Sequence, residues 1–215
     1  MELLLLTGSW WVIGFSGAMM PGPVTTLIVT ETARRGFIAG PLITLGHAAL
    51  ELVMVVALFF GLGDLLKQNA VAGAIGLIGG VFLLWMGLDI VRNAWLGKVA
   101  LNVTARQGEQ GAPGNAILAG VLTSASNPYW WLWWATVGAL YLTTFRAFGI
   151  AGIVAFYVGH SLADWVWNDV VAFIVATGRR AMCDRVYRGI LIVCGAFLIG
   201  LSFYFVASGI GFLRG

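Results

Sequence analysis

The chain has 215 residues, 60% of them hydrophobic and 10% charged, with a formal net charge of +3. A soluble domain carries about 25% charged residues, so this composition excludes an ordinary soluble protein and points to one embedded in a lipid bilayer. The small positive balance is a matter of loops and topology and argues for no nucleic-acid partner.

The apolar runs are long and continuous, which reads as helices and not as a β-barrel. They predict an all-α integral membrane protein with about six transmembrane helices, at about 3–32, 37–61, 70–93, 115–143, 147–177 and 187–212. The first segment has Glu2 and no basic residue ahead of it, so it reads as retained, not as a cleaved signal. It carries Pro21, Gly22 and Pro23 well inside. Each proline removes an amide donor and clashes with the preceding turn. A break facing lipid would leave carbonyls unsatisfied, so this one should face protein or a wet cavity. The opened carbonyls and the half-helix N-terminus suit an ammonium and a carboxylate. The plainer alternative is a kink that only shapes packing. Glu31, beside Arg34 and Arg35, reads as a helix-end ion-pair partner.

The second segment contains Gly46-His47 with Glu51 four residues after the histidine, on the same helix face. The third has Gly76-x3-Gly80, a small-residue contact face for internal packing or a homodimer, and an expected Asp89–Arg92 ion pair at its end. Residues 98–113 form the one long polar connection and read as a linker between halves 1–97 and 114–215. The fourth segment has Asn127 and Pro128, then Tyr129 and the tryptophans 130, 131, 133 and 134. Such a run usually marks the bilayer interface; covering more than one face, it could also stack on a solute or gate a cavity. The fifth segment holds Gly159-His160 with Asp164 four residues on. Asp169 points about 140° away from Asp164, and with Asn168 it lines a second cavity face or is solvated at a helix end. Cys183 and Cys194 are too few for a disulfide framework or a zinc site.

Both histidines of the chain are thus spent on the phrase Gly-His-x3-acid, at matching places in two halves. A charge at a bilayer centre costs about 2.5–3.5 kcal/mol on insertion scales, so two such pairs suggest a working polar centre. Gly80 to Leu84 likewise matches Gly195 to Ile199. Basic residues concentrate in the odd connections (Arg34, Arg35, Arg92, Lys98, Arg106, Arg179, Arg180, Arg185, Arg188) over the other side (Lys67, Arg146, Arg214). That places the odd connections in the cytoplasm and both termini outside. Three helices per half is odd, so the halves are expected to be inverted repeats with a site near the midplane.

The chain resembles the LysE-type exporter family in Gly17-Ala18-Met19-Met20-Pro21-Gly22-Pro23, in Arg35-Gly36-x3-Gly40, in Gly80-x3-Leu84-x2-Gly87, and in Ser126-Asn127-Pro128 with the aromatics through Trp134. Where many amino-acid exporters of this type carry Lys after Asn-Pro, this chain has Tyr129. The resemblance implies about six helices in two inverted repeats and export of amino acids or related small polar solutes across the plasma (inner) membrane. With no nucleotide-binding motif, an ion gradient is the expected energy source. Burial disfavours a charged carboxylate, so Glu51 and Asp164 are the expected proton carriers, with His47 and His160 sharing the proton. The expected substrate contacts are Pro21, Gly22, Pro23, Asn127, Pro128, Tyr129 and Asp169. Structural His–acid ties between helices are the plain alternative. A divalent-metal exporter is the rival function, because His and carboxylate at i, i+4 is also metal-ligand spacing, and coordination reach between the pairs would favour it. The chain reads as a transporter and not an enzyme, with no cofactor.

Overall fold

A computed structural model describes residues 1–20, 22–98, 113–178 and 183–214. Pro21, nearly all of the expected linker, Arg106, Arg179 and Arg180 lie outside the described residues. Among those described, every regular element is helical: α1 Glu2–Ala18, α2 Pro23–Arg35, α3 Ala39–Phe59, α4 Leu62–Leu66, α5 Asn69–Trp95, α6 Pro113–Ala125, α7 Pro128–Trp133, α8 Ala139–Arg146, α9 Gly149–Gly178 and α10 Asp184–Arg214. By length and composition α3, α5, α9 and α10 can each cross a membrane, and α1 and α6 contain shorter apolar stretches.

Two segments expected as single helices are divided. The first splits into α1 and α2, with Gly22 extended at φ −152°, ψ −171° and Pro23 opening α2. The fourth splits into α6 and α7, with Asn127 at φ −86°, ψ 109° and Pro128 opening α7. Both junction residues precede a proline, whose ring disfavours the helical region for its predecessor. Proline then suits the first helical turn, where its missing N–H costs nothing. The polar groups freed at the second break are partly recovered locally: Asn127 Oδ1 accepts from Tyr129 N at 3.1 Å, and Trp131 Nε1 donates to Ala125 O at 2.7 Å. A π-helical turn, Trp134–Gly138, joins α7 to α8; such turns recur at functional sites.

The longest interface joins α5 to α10. Its backbones approach at glycines: a Cβ on Gly76 would stand 2.9 Å from Phe205 O, and one on Gly87 2.8 Å from Gly195 O. The Gly76/Gly80 face is therefore used inside the chain, as small-residue helix contacts in membranes often are. At the centre α3 packs on α9, while α6 lies against α3 and α1 against α9. Glu31 pairs with Arg35 at 2.6 Å and Arg34 at 3.3 Å. Asp89 and Arg92 make no ion pair with each other, and both side chains are exposed.

Candidate functional site

The two Gly-His-x3-acid phrases meet where α3 crosses α9. The glycine of each phrase seats a neighbouring helix. A Cβ on Gly46 would run into the Ile117 carbonyl of α6, and one on Gly159 would stand 3.2 Å from Thr7 Cγ2 and Trp10 Cδ1 of α1. Close approach on those faces leaves the next residue of each helix, His47 or His160, directed into the crossing.

Glu51 is the hub. It is fully buried. Its Oε1 lies 3.2 Å from His47 Nε2 and 3.0 Å from His160 Nε2, and its Oε2 accepts from Ser161 Oγ at 3.1 Å. Asp164 Oδ2 completes the cluster, 3.3 Å from His160 Nε2 and 3.8 Å from His47 Nε2. Two carboxylates and two imidazoles thus share one buried crossing, where each anion needs an adjacent proton or cation to offset its desolvation.

The second nitrogens differ. His47 Nδ1 stands 2.6 Å from Ser124 Oγ, and that hydroxyl donates to Gly120 O at 2.7 Å. With the serine proton committed to the carbonyl, Nδ1 carries a proton and donates to Ser124. That leaves His47 Nε2 to face Glu51 Oε1. His160 is held by rings: Trp133 stacks on it at 4.6 Å and 28°, Trp134 meets it edge-on at 4.9 Å, and Trp10 lies at 5.5 Å. Trp10 is itself fixed by a 2.7 Å bond from Nε1 to Phe156 O.

These four side chains line one wall of a cavity of about 60 Å³, room for a few waters. Gly22, Pro23, Val24 and Thr25 at the start of α2 line it too, as do Asn127, Tyr129, Trp130, Trp133, Trp134, Asn168 and Leu201. Of the expected substrate contacts, Gly22, Pro23, Asn127 and Tyr129 reach the cavity. Pro128 does not line it; its ring packs on α5, where a Cβ on Gly79 would stand 2.6 Å from it. Asp169 is not a lining residue either, whereas Asn168 is, because one residue along α9 is a turn of about 100°. Sequence reading missed Ser124 and Ser161. Their only signal is a hydroxyl inside an apolar segment, one of them next to His160, and many membrane serines merely bond their own helix. The tryptophan run, read first as a membrane belt, supplies three cavity walls.

As a metal set, His47, Glu51 and Asp164 each offer a ligand atom within 4.8 Å of the others. Bonds of about 2.0–2.2 Å to N and O ligands in a tetrahedron need spacings of the size observed here, and so does a hydrogen-bonded proton cluster. Geometry at this crossing is compatible with both.

The family model described as LysE type translocator matches residues 15–209. The chain belongs to the LysE type translocator family. A putative amino acid efflux protein, YcgF, of Bacillus subtilis (strain 168) is 24% identical over 208 residues, covering 96% of this chain and 98% of its own. The threonine efflux protein of Escherichia coli (strain K12) is 27% identical over 224 residues, covering 97% of this chain and all of its own. The chemotactic transduction protein ChpE of Pseudomonas aeruginosa is 28% identical over 205 residues, covering 89% of this chain and 92% of its own. No solved structure matches the chain. As a LysE type translocator with four helices of spanning length, it is a multi-pass membrane protein that moves a small-molecule substrate.

Proposed function

We propose that this chain is a secondary exporter of amino acids or related small polar solutes across the plasma membrane, working by proton antiport with alternating access. The observation that carries the reading is the convergence of both His–acid pairs on one cavity that also touches the two proline-broken junctions. The ammonium of an amino acid and a proton compete for the same two carboxylates, Glu51 and Asp164, and that competition is the minimum an antiporter requires. The start of α2 offers the amides of Val24 and Thr25 and its positive dipole end to a substrate carboxylate.

We further propose two inverted three-helix repeats, 1–97 and 114–215, joined by 98–113, with both termini outside. The pairing of helices supports it: α1 with α9 answers α6 with α3, while α3 with α9 and α5 with α10 each pair equivalent helices. Reporter fusions at the C-terminus should report outside and fusions within 99–112 cytoplasm; a cytoplasmic C-terminus defeats the inverted repeat. A homodimer would have to use a surface other than the Gly76/Gly80 face.

The test of coupling is efflux of preloaded amino acids from proteoliposomes with and without a pH gradient. Glu51→Gln and Asp164→Asn mimic the protonated acids and should remain inserted. Uphill efflux should be lost in Glu51→Gln and severely reduced in Asp164→Asn, while exchange without a gradient survives in both. Parent-like uphill transport by both variants would return the cluster to a structural tie. Divalent-metal export is the second reading, favoured by the clustered ligand atoms. Zn²⁺ or Mn²⁺ binding that His47→Ala and His160→Ala reduce would support it, and intact amino-acid efflux without such binding would remove it.

A further inference from the structure

The cavity that holds the charged cluster is small, and a second recess of about 1000 Å³ lies beside it. Met20, Tyr129, Trp133 and Leu201 wall both, so the two are neighbours across a single layer of side chains. The chemistry of the two spaces is opposite. His47, Glu51, His160 and Asp164 line the inner cavity. Among the described residues the lining of the recess has no Asp, Glu, Lys, Arg or His; Leu132, Val137, Tyr204, Phe205 and Phe212 dominate it, with Asn69, Thr136 and Ser208 as uncharged polar members. The recess runs to where α5 begins at Asn69 and to Phe212 in the last turn of α10.

The inner cavity also holds unspent donors. Trp130 is 5% exposed and Trp134 fully buried, and the indole Nε1 of each has no hydrogen-bond partner. They line the same cavity as the uncapped start of α2, where proline removes one amide and Val24 and Thr25 supply the next two. Buried donors without partners are expensive unless a ligand or water answers them. A carboxylate at the start of α2 answers its free amides, while Glu51 and Asp164 answer an ammonium.

We propose that the exported solute is an α-amino acid with a large apolar or aromatic side chain. Its charged head occupies the inner cavity and its side chain enters the apolar recess past Tyr129, Trp133 and Leu201. This rests on the amino-acid export reading above and deepens it. A threonine or serine side chain buries less apolar surface against the recess walls than a leucine or phenylalanine side chain. A lysine or glutamate side chain meets no countercharge there, and an unpaired charge is strongly disfavoured.

The experiment uses the full chain in proteoliposomes preloaded singly with labelled leucine, phenylalanine, threonine, lysine or glutamate. Leucine and phenylalanine efflux should exceed threonine efflux by at least about tenfold, the scale that filling an apolar pocket provides. Gly211 lines the recess and a Cβ there meets nothing within 4 Å, so Gly211→Phe starts in open space and places a ring at the recess. It should slow phenylalanine efflux several-fold more than threonine efflux, with the residual threonine flux reporting a folded protein. If threonine, lysine or glutamate leaves as fast as leucine, the proposal is overturned and amino-acid export stands. An unchanged phenylalanine-to-threonine ratio in Gly211→Phe also overturns it. If no amino acid leaves, the export reading itself falls.

Discussion

The two halves of the central cluster share a sequence phrase yet are built differently. On the α3 side, His47 is held by a hydrogen-bond chain through Ser124 to Gly120 O, and its neighbour Gly46 abuts backbone of α6. On the α9 side, His160 is held by the faces and edges of three tryptophans, its Nδ1 has no hydrogen-bond partner, and its neighbour Gly159 meets only side-chain atoms within 3.2 Å. The acids differ likewise. Each meets both imidazoles, but Glu51 does so at 3.2 and 3.0 Å and also accepts from Ser161, whereas Asp164 lies at 3.8 and 3.3 Å and its Oδ2 has no hydrogen bond. A repeated motif thus yields one half that is polar and geometrically determined and another that is aromatic and more adaptable. In an antiporter, that asymmetry would let one acid anchor the proton while the other follows the cavity.

The largest expected contrast is in transport. Glu51→Gln should abolish uphill efflux, while Asp164→Asn should retain a residue of it, roughly a tenth, equivalent to ~1.4 kcal/mol of coupling. Equal losses in the proteoliposome assay would erase the distinction between hub and follower. In stability the contrast lies at the glycines. Gly46→Ala should cost ~3 kcal/mol, because the carbonyl of Ile117 cannot move without its helix, and Gly159→Ala about 1 kcal/mol, because Thr7 and Trp10 can shift. Thermal unfolding in detergent measures both, and similar midpoints would show that the two crossings are equally tight. Ser124→Ala leaves the His47 Nδ1–H unpaired in a buried place, worth about 1–3 kcal/mol. It should also slow efflux more than Ser161→Ala, which removes one of three contacts to Glu51. The smallest effect is expected of Trp133→Phe, which keeps an aromatic face against His160 and should cost under ~1 kcal/mol. A larger loss would mean that the His160 side is as rigidly determined as its counterpart.

Much of this architecture was legible from residue order. Continuous apolar runs located the helices to within a few residues, and the family resemblance carried by Pro21 to Pro23 and Asn127-Pro128 agrees with the family match. The breaks were less legible, because proline is common in membrane helices and only the extended Gly22 and Asn127 show that the chain divides there. The expected Asp89–Arg92 pair did not form, since i, i+3 spacing permits an ion pair between exposed side chains without requiring it.

By itself the sequence determined local matters: which stretches are helical, because hydrophobicity and length act along the chain, and which His and acid share a helix face, because 3.6 residues make a turn. That the two faces meet depends on the crossing of α3 with α9. That Ser124 orients one imidazole and Trp133 covers the other, that Asn168 rather than Asp169 reaches the cavity, and that a charged chamber adjoins an apolar recess depend on helices packed from distant parts of the chain. The hydrogen bonds of Ser124 with His47 and of Ser161 with Glu51 join residues 77 and 110 positions apart. Their partners are selected by shape where helices approach at Gly46, Gly120 and Gly159, and linear spacing carries no record of that shape.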